Sequence, residues 1–266
     1  MPILSVSGSS AARAAASPQL KNSALDRLFA EAMHSGMKDY EKRLQPIKTE
    51  LFAAARGYLD TLTSPQVLEI GIGTGPNLRY LRSPGANSDV HILGLEPNQY
   101  MIPYLKEEAA RVGLDVTVIP GVAESMTTIP SASIDLVVCT LVLCSVTDVS
   151  RALEEMARVL KPAGRLLIIE HVRGSGLTQL GQTVFSPLQQ FLADGCHLDR
   201  DFTEDPAAGR LFEVSGIKAT DVGGLGLLAR HKYGLLSLSL SLSLSQSLSL
   251  SPEEIKWNRE PTIPVF

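Results

Sequence analysis

Cysteine is scarce in this 266-residue chain, which has only Cys139, Cys144 and Cys196. The number is odd and no two stand in C-x-x-C spacing. This argues against a disulfide framework or a sequence-local metal site, and a reducing compartment is the expectation. An excess of positive charge is also lacking. With 24 Lys and Arg against 28 Asp and Glu the formal net charge is −4. Such a chain has no basic field with which to grip phosphate backbones, so nucleic acid is not an expected partner. No apolar run approaches the roughly 18 residues that a membrane-spanning helix requires. What is present, 44% hydrophobic and 20% charged residues, suits one α/β domain with a sizeable core.

Acidic residues are missing before Asp26. Residues 1–24 are instead rich in Ser and Ala, with Arg13 and Lys21, and read as a disordered leader or a transit-like segment. Cytoplasm and plastid are the compartments that follow. From Ala24 to Asp60 helical periodicity takes over. One apolar stripe joins Leu25, Leu28, Phe29, Ala32 and Met33, and a second joins Leu44, Ile47, Leu51, Phe52 and Ala55. Pro46 is expected to start the second helix or to bend the pair.

The organising stretch is Val67-Leu68-Glu69-Ile70-Gly71-Ile72-Gly73-Thr74-Gly75-Pro76-Asn77. It reads as a buried strand running into a glycine-rich turn, with a helix opening at Leu78. Glycine lets such a turn adopt positive φ and brings backbone close to a ligand. A dinucleotide fingerprint G-x-G-x-x-G from Gly71 would need a third glycine at position 76, where Pro76 stands. That opposes a nicotinamide-dependent enzyme. The run Glu69-x-Gly71-x-Gly73-x-Gly75 instead resembles the first motif of class I S-adenosylmethionine-dependent methyltransferases.

Further buried-strand signals lie at Val90–Leu95, Val116–Ile119, Ile134–Thr140 and Arg165–Ile169, with helical patterns at Gln99–Arg111 and Val149–Leu160. Strands alternating with helices predict a parallel sheet covered on both faces, with ligands at the carboxyl ends of its strands. Glu96 ends the second strand about 20 residues after Gly75, the spacing at which an acid accepts bonds from ribose hydroxyls.

A more specific likeness lies in Val137 to Val146, Arg158-Val159-Leu160-Lys161-Pro162, Glu170-His171-Val172 and Asp194-Gly195-Cys196. These strings resemble the methyltransferase-like family whose animal members methylate small alkyl thiols, here as a plant-type member with an atypical C-terminus. The likeness spans Leu59 to Arg200, with a weaker trace to Gly234. It implies a doubly wound, mostly parallel seven-stranded sheet over residues 25–234, S-adenosylmethionine as cofactor and a small-molecule methyl acceptor. It places the cofactor against Glu69, Gly71, Gly73, Gly75, Glu96, Pro97, Asn98, Met101, Ala123, Glu124, Thr140 and Leu141. In such enzymes the helices that precede the first strand often cover the cofactor pocket.

The acceptor side offers His171, Asp194, Cys144 and Cys196 as catalytic candidates. Each has a plainer reading: a strand-end histidine, a turn-forming aspartate, and two small core cysteines. The likeness fades after the sixth-strand signal at Gly216–Ala219. Residues 235–251 are a nearly perfect Leu-Ser alternation, followed by an irregular tail at 252–266. Period two is strand-like, so the repeat could replace the last strand. It would then set an all-serine face where the family buries both faces. A CT dinucleotide repeat also translates as Leu-Ser, so the second reading is a catalytically inactive, partly misfolded product of read-through.

Overall fold

The computed structural model describes residues 23–82 and 90–249; the bulk of the leader and the whole of the 252–266 tail lie outside the described residues. Seven strands form one sheet: β1 (Gln66–Ile70), β2 (His91–Leu95), β3 (Val116–Ile119), β4 (Ile134–Thr140), β5 (Leu160–His171), β6 (Lys218–Asp221) and β7 (Arg230–Ser237). Their order is β3-β2-β1-β4-β5-β7-β6. The first five strands run parallel, and β7 inserts antiparallel between β5 and β6. This is the doubly wound, mostly parallel sheet expected from the sequence.

All five residues of β1 are buried, as a strand covered on both faces requires. Because successive side chains point to opposite faces, Val67 and Leu68 belong to different cores. On one face Val67, Ile92, Leu136 and Leu167 meet Leu44 and Phe52 of α2 (Lys38–Leu59), Leu78 of α3 (Leu78–Leu81) and Leu105 of α4 (Ile102–Val112). On the other, Leu68, Leu93, Val137 and Leu166 meet Leu153 and Met156 of α5 (Val149–Val159).

The two N-terminal stripes differ in fate. Leu44, Ile47, Leu51, Phe52 and Ala55 are buried, and α2 runs straight through Pro46 rather than starting there. The helix before it, α1 (Ala24–Gly36), opens with a capping box in which Ser23 Oγ accepts from Asp26 N and Asp26 Oδ2 accepts from Ser23 N. Its Leu25 and Leu28 are about 60% exposed. α1 lies over a cavity mouth rather than against the sheet, so its stripe has no core to enter.

No helix was expected at α6 (Gly176–Leu192), and its burial explains why. The inward positions are polar, Gln182 and Ser186, while Leu177, Leu180, Val184 and Phe191 face outward. Gln182 Nε2 donates to Leu227 O at 2.8 Å, its Oε1 accepts from Gly174 N at 2.7 Å, and Ser186 Oγ donates to Asp199 at 2.8 Å. A helix that is polar inside inverts the usual pattern.

The Leu-Ser segment needs a correction. It does not replace a lost strand: β7 begins upstream at Arg230 and takes only Leu235, Leu236 and Ser237 from it. The consecutive Leu235 and Leu236 serve opposite faces, and Ser237 is the only serine in the strand, so no serine-covered face arises. Beyond β7, Leu240–Ser249 forms a helix, α8, not the strand that period two predicts. On a helix, residues two apart point to nearly opposite sides. Leu242 accordingly packs on the core while Leu240 and Leu244 are exposed. Backbone carbonyls anchor the helix, with Ser243 Oγ donating to Pro162 O and Gln246 Nε2 to Ala157 O, each at 2.9 Å. Among the described residues no helix is long and apolar enough to cross a membrane.

Candidate active site

A cavity of about 750 Å³ opens at the carboxyl ends of β1 and β4. Glu69, Gly71, Gly73, Thr140 and Leu141 line it from the sheet side, and Met33 and His34 of α1, Met37 between the helices, Glu41 of α2 and Tyr104 of α4 line it from the other. The His34 and Tyr104 rings stack with centroids 4.1 Å apart, which ties α1 to α4 across the mouth. Thus the N-terminal helices do cover the pocket. Gly71 turns the chain out of β1 at φ +58°, and a Cβ there would stand 2.8 Å from Val142 Cγ2. Both the turn and the close approach require glycine. Gly75 lies away from the cavity lining; at φ +80° it makes room for Leu105 and Leu78 instead.

The cavity wall contains an incompletely satisfied acid. Asn77 Nδ2 donates to Glu69 Oε1 and to Thr140 Oγ1, each at 2.8 Å, while Glu69 Oε2 has no hydrogen-bond partner. Burial raises the Glu69 carboxyl to about 7, against the opposing effects of Asn77 and Lys48. Lys48 is itself buried and paired with Glu41 at 2.6 Å; desolvation lowers its pKa.

Glu96 sits at the end of β2, as expected, and turns toward the glycine loop. Its Oε2 accepts from Gly73 N and its Oε1 from Asn98 N, both at 2.8 Å. The other expected contacts hold the framework. Asn98 Oδ1 accepts from Tyr100 N and its Nδ2 donates to Asp26 O, which moors α1. Pro97 is half-buried beside it, whereas Met101 and Ala123 are core residues. Glu124 Oε1 accepts from Thr147 N at 2.7 Å, bracing the loop beyond β4. None of these residues lines the cavity as it stands.

Beyond Leu141, the chain leaving β4 is held by Glu170, whose Oε1 accepts from Val142 N at 2.7 Å and Leu143 N at 2.9 Å. Burial raises this carboxyl also to about 7. Cys144, His171 and Cys196 then converge, one donor atom from each lying within 4.8 Å of the others. All three are at most 8% exposed. His171 Nε2 is 3.1 Å from Cys196 Sγ, and His171 Nδ1 has no partner. The neighbouring Cys144 and His171 hold the Cys196 thiol below its ordinary range, against burial. Cys144 is raised correspondingly. Sequence spacing shows no ligand cluster, and no metal was expected; the fold assembles a possible one from three distant segments.

Asp194 takes no part in the cluster. It adopts φ +54° and, with Gly195 at φ +81°, turns the chain so that Cys196 enters it. Tyr40 stands against the cluster and donates its hydroxyl to His231 Nε2 at 2.8 Å, while His231 Nδ1 lies 2.9 Å from Ala229 O. Burial, then the neighbouring Cys144 and Glu170, push the Tyr40 phenol far above its ordinary range. Burial lowers His231 to about 4.

Residues 68–168 match the family model of the methyltransferase domain. Thiol S-methyltransferase TMT1B of Rattus norvegicus is 34% identical over 177 residues, which are 65% of this chain and 70% of the relative. Human TMT1B is 34% identical over 179 residues, again 65% and 70% of the two chains. The chain belongs to the thiol S-methyltransferase family of class I methyltransferases. Solved structures agree on the fold. A Thermotoga maritima S-adenosylmethionine-dependent methyltransferase aligns at TM-score 0.50 and 18% identity over 79% of this chain and 99% of its own. The PH0226 protein of Pyrococcus horikoshii aligns at TM-score 0.55 and 14% identity over 78% and 96%.

The methyltransferase has a cavity suited to S-adenosylmethionine. The ligand carries an ammonium and a sulfonium, and the partnerless Glu69 Oε2 in the wall is the group such a cation would satisfy. The glycine loop gives an approach that a Cβ would close. Sequence reasoning missed Met33, His34, Met37 and Tyr104 on the cavity, and Tyr40 and His231 beside the cluster. Met33 is legible only as part of a helical stripe and His231 only as part of the strand entry; long-range packing gives them their place.

Proposed function

We propose that this methyltransferase S-methylates a small alkyl thiol. The observation that carries the reading is the buried sulfur–imidazole cluster of Cys144, His171 and Cys196, just beyond the cavity residues Thr140 and Leu141. The relatives' names point the same way.

S-adenosylmethionine supplies a methyl group on a sulfonium, which an acceptor sulfur displaces in line. Positioning alone contributes about 7–11 kcal/mol to such a step. A free thiol has a pKa of about 8.5, so a few per cent is thiolate at neutral pH. The acceptor therefore needs orientation and a dry site more than a strong base. The chain supplies both: α1 and α2 cover the cavity, and Glu170 fixes the loop that leads to the cluster. Tyr40, neutral and hydrogen-bonded to His231, can orient a ligand but does not act as a base.

The test is methylation of matched alkyl thiol, alcohol and amine acceptors of equal chain length, read by mass spectrometry. The thiol alone is expected to gain a methyl group; transfer to the alcohol or amine with none to the thiol would refute the proposal. Calorimetry with S-adenosylhomocysteine tests the cofactor side separately. Glu96→Ala removes the acceptor that Gly73 N and Asn98 N share, and is expected to weaken binding tenfold or more. Wild-type affinity would remove Glu96 from the cofactor site.

A further inference from the structure

We propose that Cys144, His171 and Cys196 form a three-ligand site for a thiophilic divalent cation such as zinc, whose fourth position takes the acceptor sulfur as thiolate. Cation binding stands on the geometry alone; the use of the fourth position rests on the thiol reading above.

Two sulfurs and one imidazole are the donors that a borderline-soft ion of zinc's kind favours. Around a tetrahedral ion with bonds of about 2.0–2.3 Å, such donors stand roughly 3.5 Å apart. Here the donors lie within 4.8 Å of one another, and the His171–Cys196 pair is at 3.1 Å. Only small side-chain adjustments separate the cluster from a ligand set.

The backbone is organised to hold the donors together. Cys144 follows β4, His171 ends β5 and Cys196 follows the turn after α6. His197 N donates to Cys144 O at 2.8 Å, and Arg200 donates to Leu143 O and Val146 O, both at 2.7 Å. The turn packs so tightly that a Cβ on Gly195 would stand 3.2 Å from Ser145 O. Two loops are therefore laced together at the position where their cysteines meet. The outer groups fit as well: Gln189 Nε2 points at Cys196 Sγ and Ser145 Oγ lies near Cys144 Sγ, and donors of this kind steady metal-bound sulfur.

Three protein ligands leave one position open, the arrangement of catalytic rather than structural sites. Two thiolates, a neutral imidazole and a divalent cation sum to zero charge, which a buried site tolerates. An entering thiol gives its proton to solvent as its sulfur bonds to the cation. The thiolate sulfur then forms the new S–CH3 bond while the bond from that carbon to the sulfonium breaks, leaving two neutral thioethers. The methylated product no longer bears the negative charge that held it, and it dissociates with the cation unchanged.

The test uses full-length protein, freed of metal by a chelator under reducing conditions and then titrated with Co2+. One Co2+ per chain is expected, with strong sulfur-to-cobalt charge-transfer absorption and tetrahedral d–d bands, displaced by Zn2+. Cys144→Ser and Cys196→Ser should each weaken the cation a hundredfold or more while S-adenosylhomocysteine still binds, which shows an intact fold. Folded wild-type protein that binds S-adenosylhomocysteine but takes up no Co2+ would overturn the site. An alkyl thiol that shifts the cobalt spectrum supports the open position. Thiol methylation at full rate by metal-free protein would overturn the cation's role while leaving thiol methylation itself standing. A bound cation with no thiol response and no thiol methylation would overturn the open-position use together with the thiol reading.

Discussion

Glu69→Gln is expected to stabilise the ligand-free protein above neutral pH and to weaken S-adenosylmethionine binding about a hundredfold. Both effects come from one buried carboxyl, with Oε1 held by Asn77 and Oε2 unpartnered. Burial raises its pKa from 4.5 to about 7. Between those values the unfolded chain is ionised there while the folded protein keeps the proton. Stability therefore falls as pH rises through that window, and the full deficit, about 3 kcal/mol, remains above it. Glutamine never ionises, and its carbonyl can still accept from Asn77. The variant should lose this part of the pH slope and exceed the wild type in denaturant unfolding at pH 8, with little difference at pH 5. Parallel slopes would remove Glu69 as the source.

Binding should change in the opposite sense. A cation placed against Glu69 favours the ionised carboxylate, so the ligand must displace a proton at or below neutral pH. Wild-type affinity is expected to rise as pH approaches 7, and the variant's affinity to stay level. A hundredfold loss corresponds to about 2.7 kcal/mol, within the range for removing one partner of a buried ionic contact. Calorimetry in buffers of different ionisation enthalpy would show the released proton in the wild type alone.

Two truncations separate the useful part of the Leu-Ser segment from the rest. A chain ending at Ala229 should lose cooperative folding and all cofactor binding. A chain ending at Ser239 should keep both, at a cost of roughly 2 kcal/mol for the Leu242 packing and the two side-chain bonds of α8. β7 pairs with β5 from Arg165↔Ser237 to His171↔His231, and with β6 on its other edge. Its removal would expose two strand edges and the core around Leu236, more than the whole stability of a typical domain sustains. Beyond β7, Ser239 N still donates to Leu211 O and Glu213 N to Ser237 O, so the shorter cut leaves the strand's end tied down. Denaturant unfolding and S-adenosylhomocysteine titration read both outcomes. Equal behaviour of the two chains would bring back the inactive, misfolded product as the better reading.

Local pattern was enough for the elements nearest the cavity. The Ile70–Pro76 turn is legible because glycine answers a backbone requirement that few other residues can meet. β1, β2 and β4 are legible because strands buried on both faces are nearly continuous runs of apolar residues. The α2 stripe is legible because its periodicity faces a core. Where local pattern and packing diverge, packing decides. α1 carries a helical stripe but covers a cavity, so Leu25 and Leu28 stay exposed. α6 turns its polar side inward, and the Leu-Ser run changes from strand to helix once the sheet ends at Ser237.

Residue identities along the chain thus settle the class of fold, the glycine loop and the acid that ends β2, because each depends on neighbours in sequence. The meeting of Cys144, His171 and Cys196, the empty bonding site on Glu69, and the closure of the cavity by His34 and Tyr104 depend on tertiary structure. These groups come from separate elements, and only the winding of the sheet and the lacing of its loops bring them together.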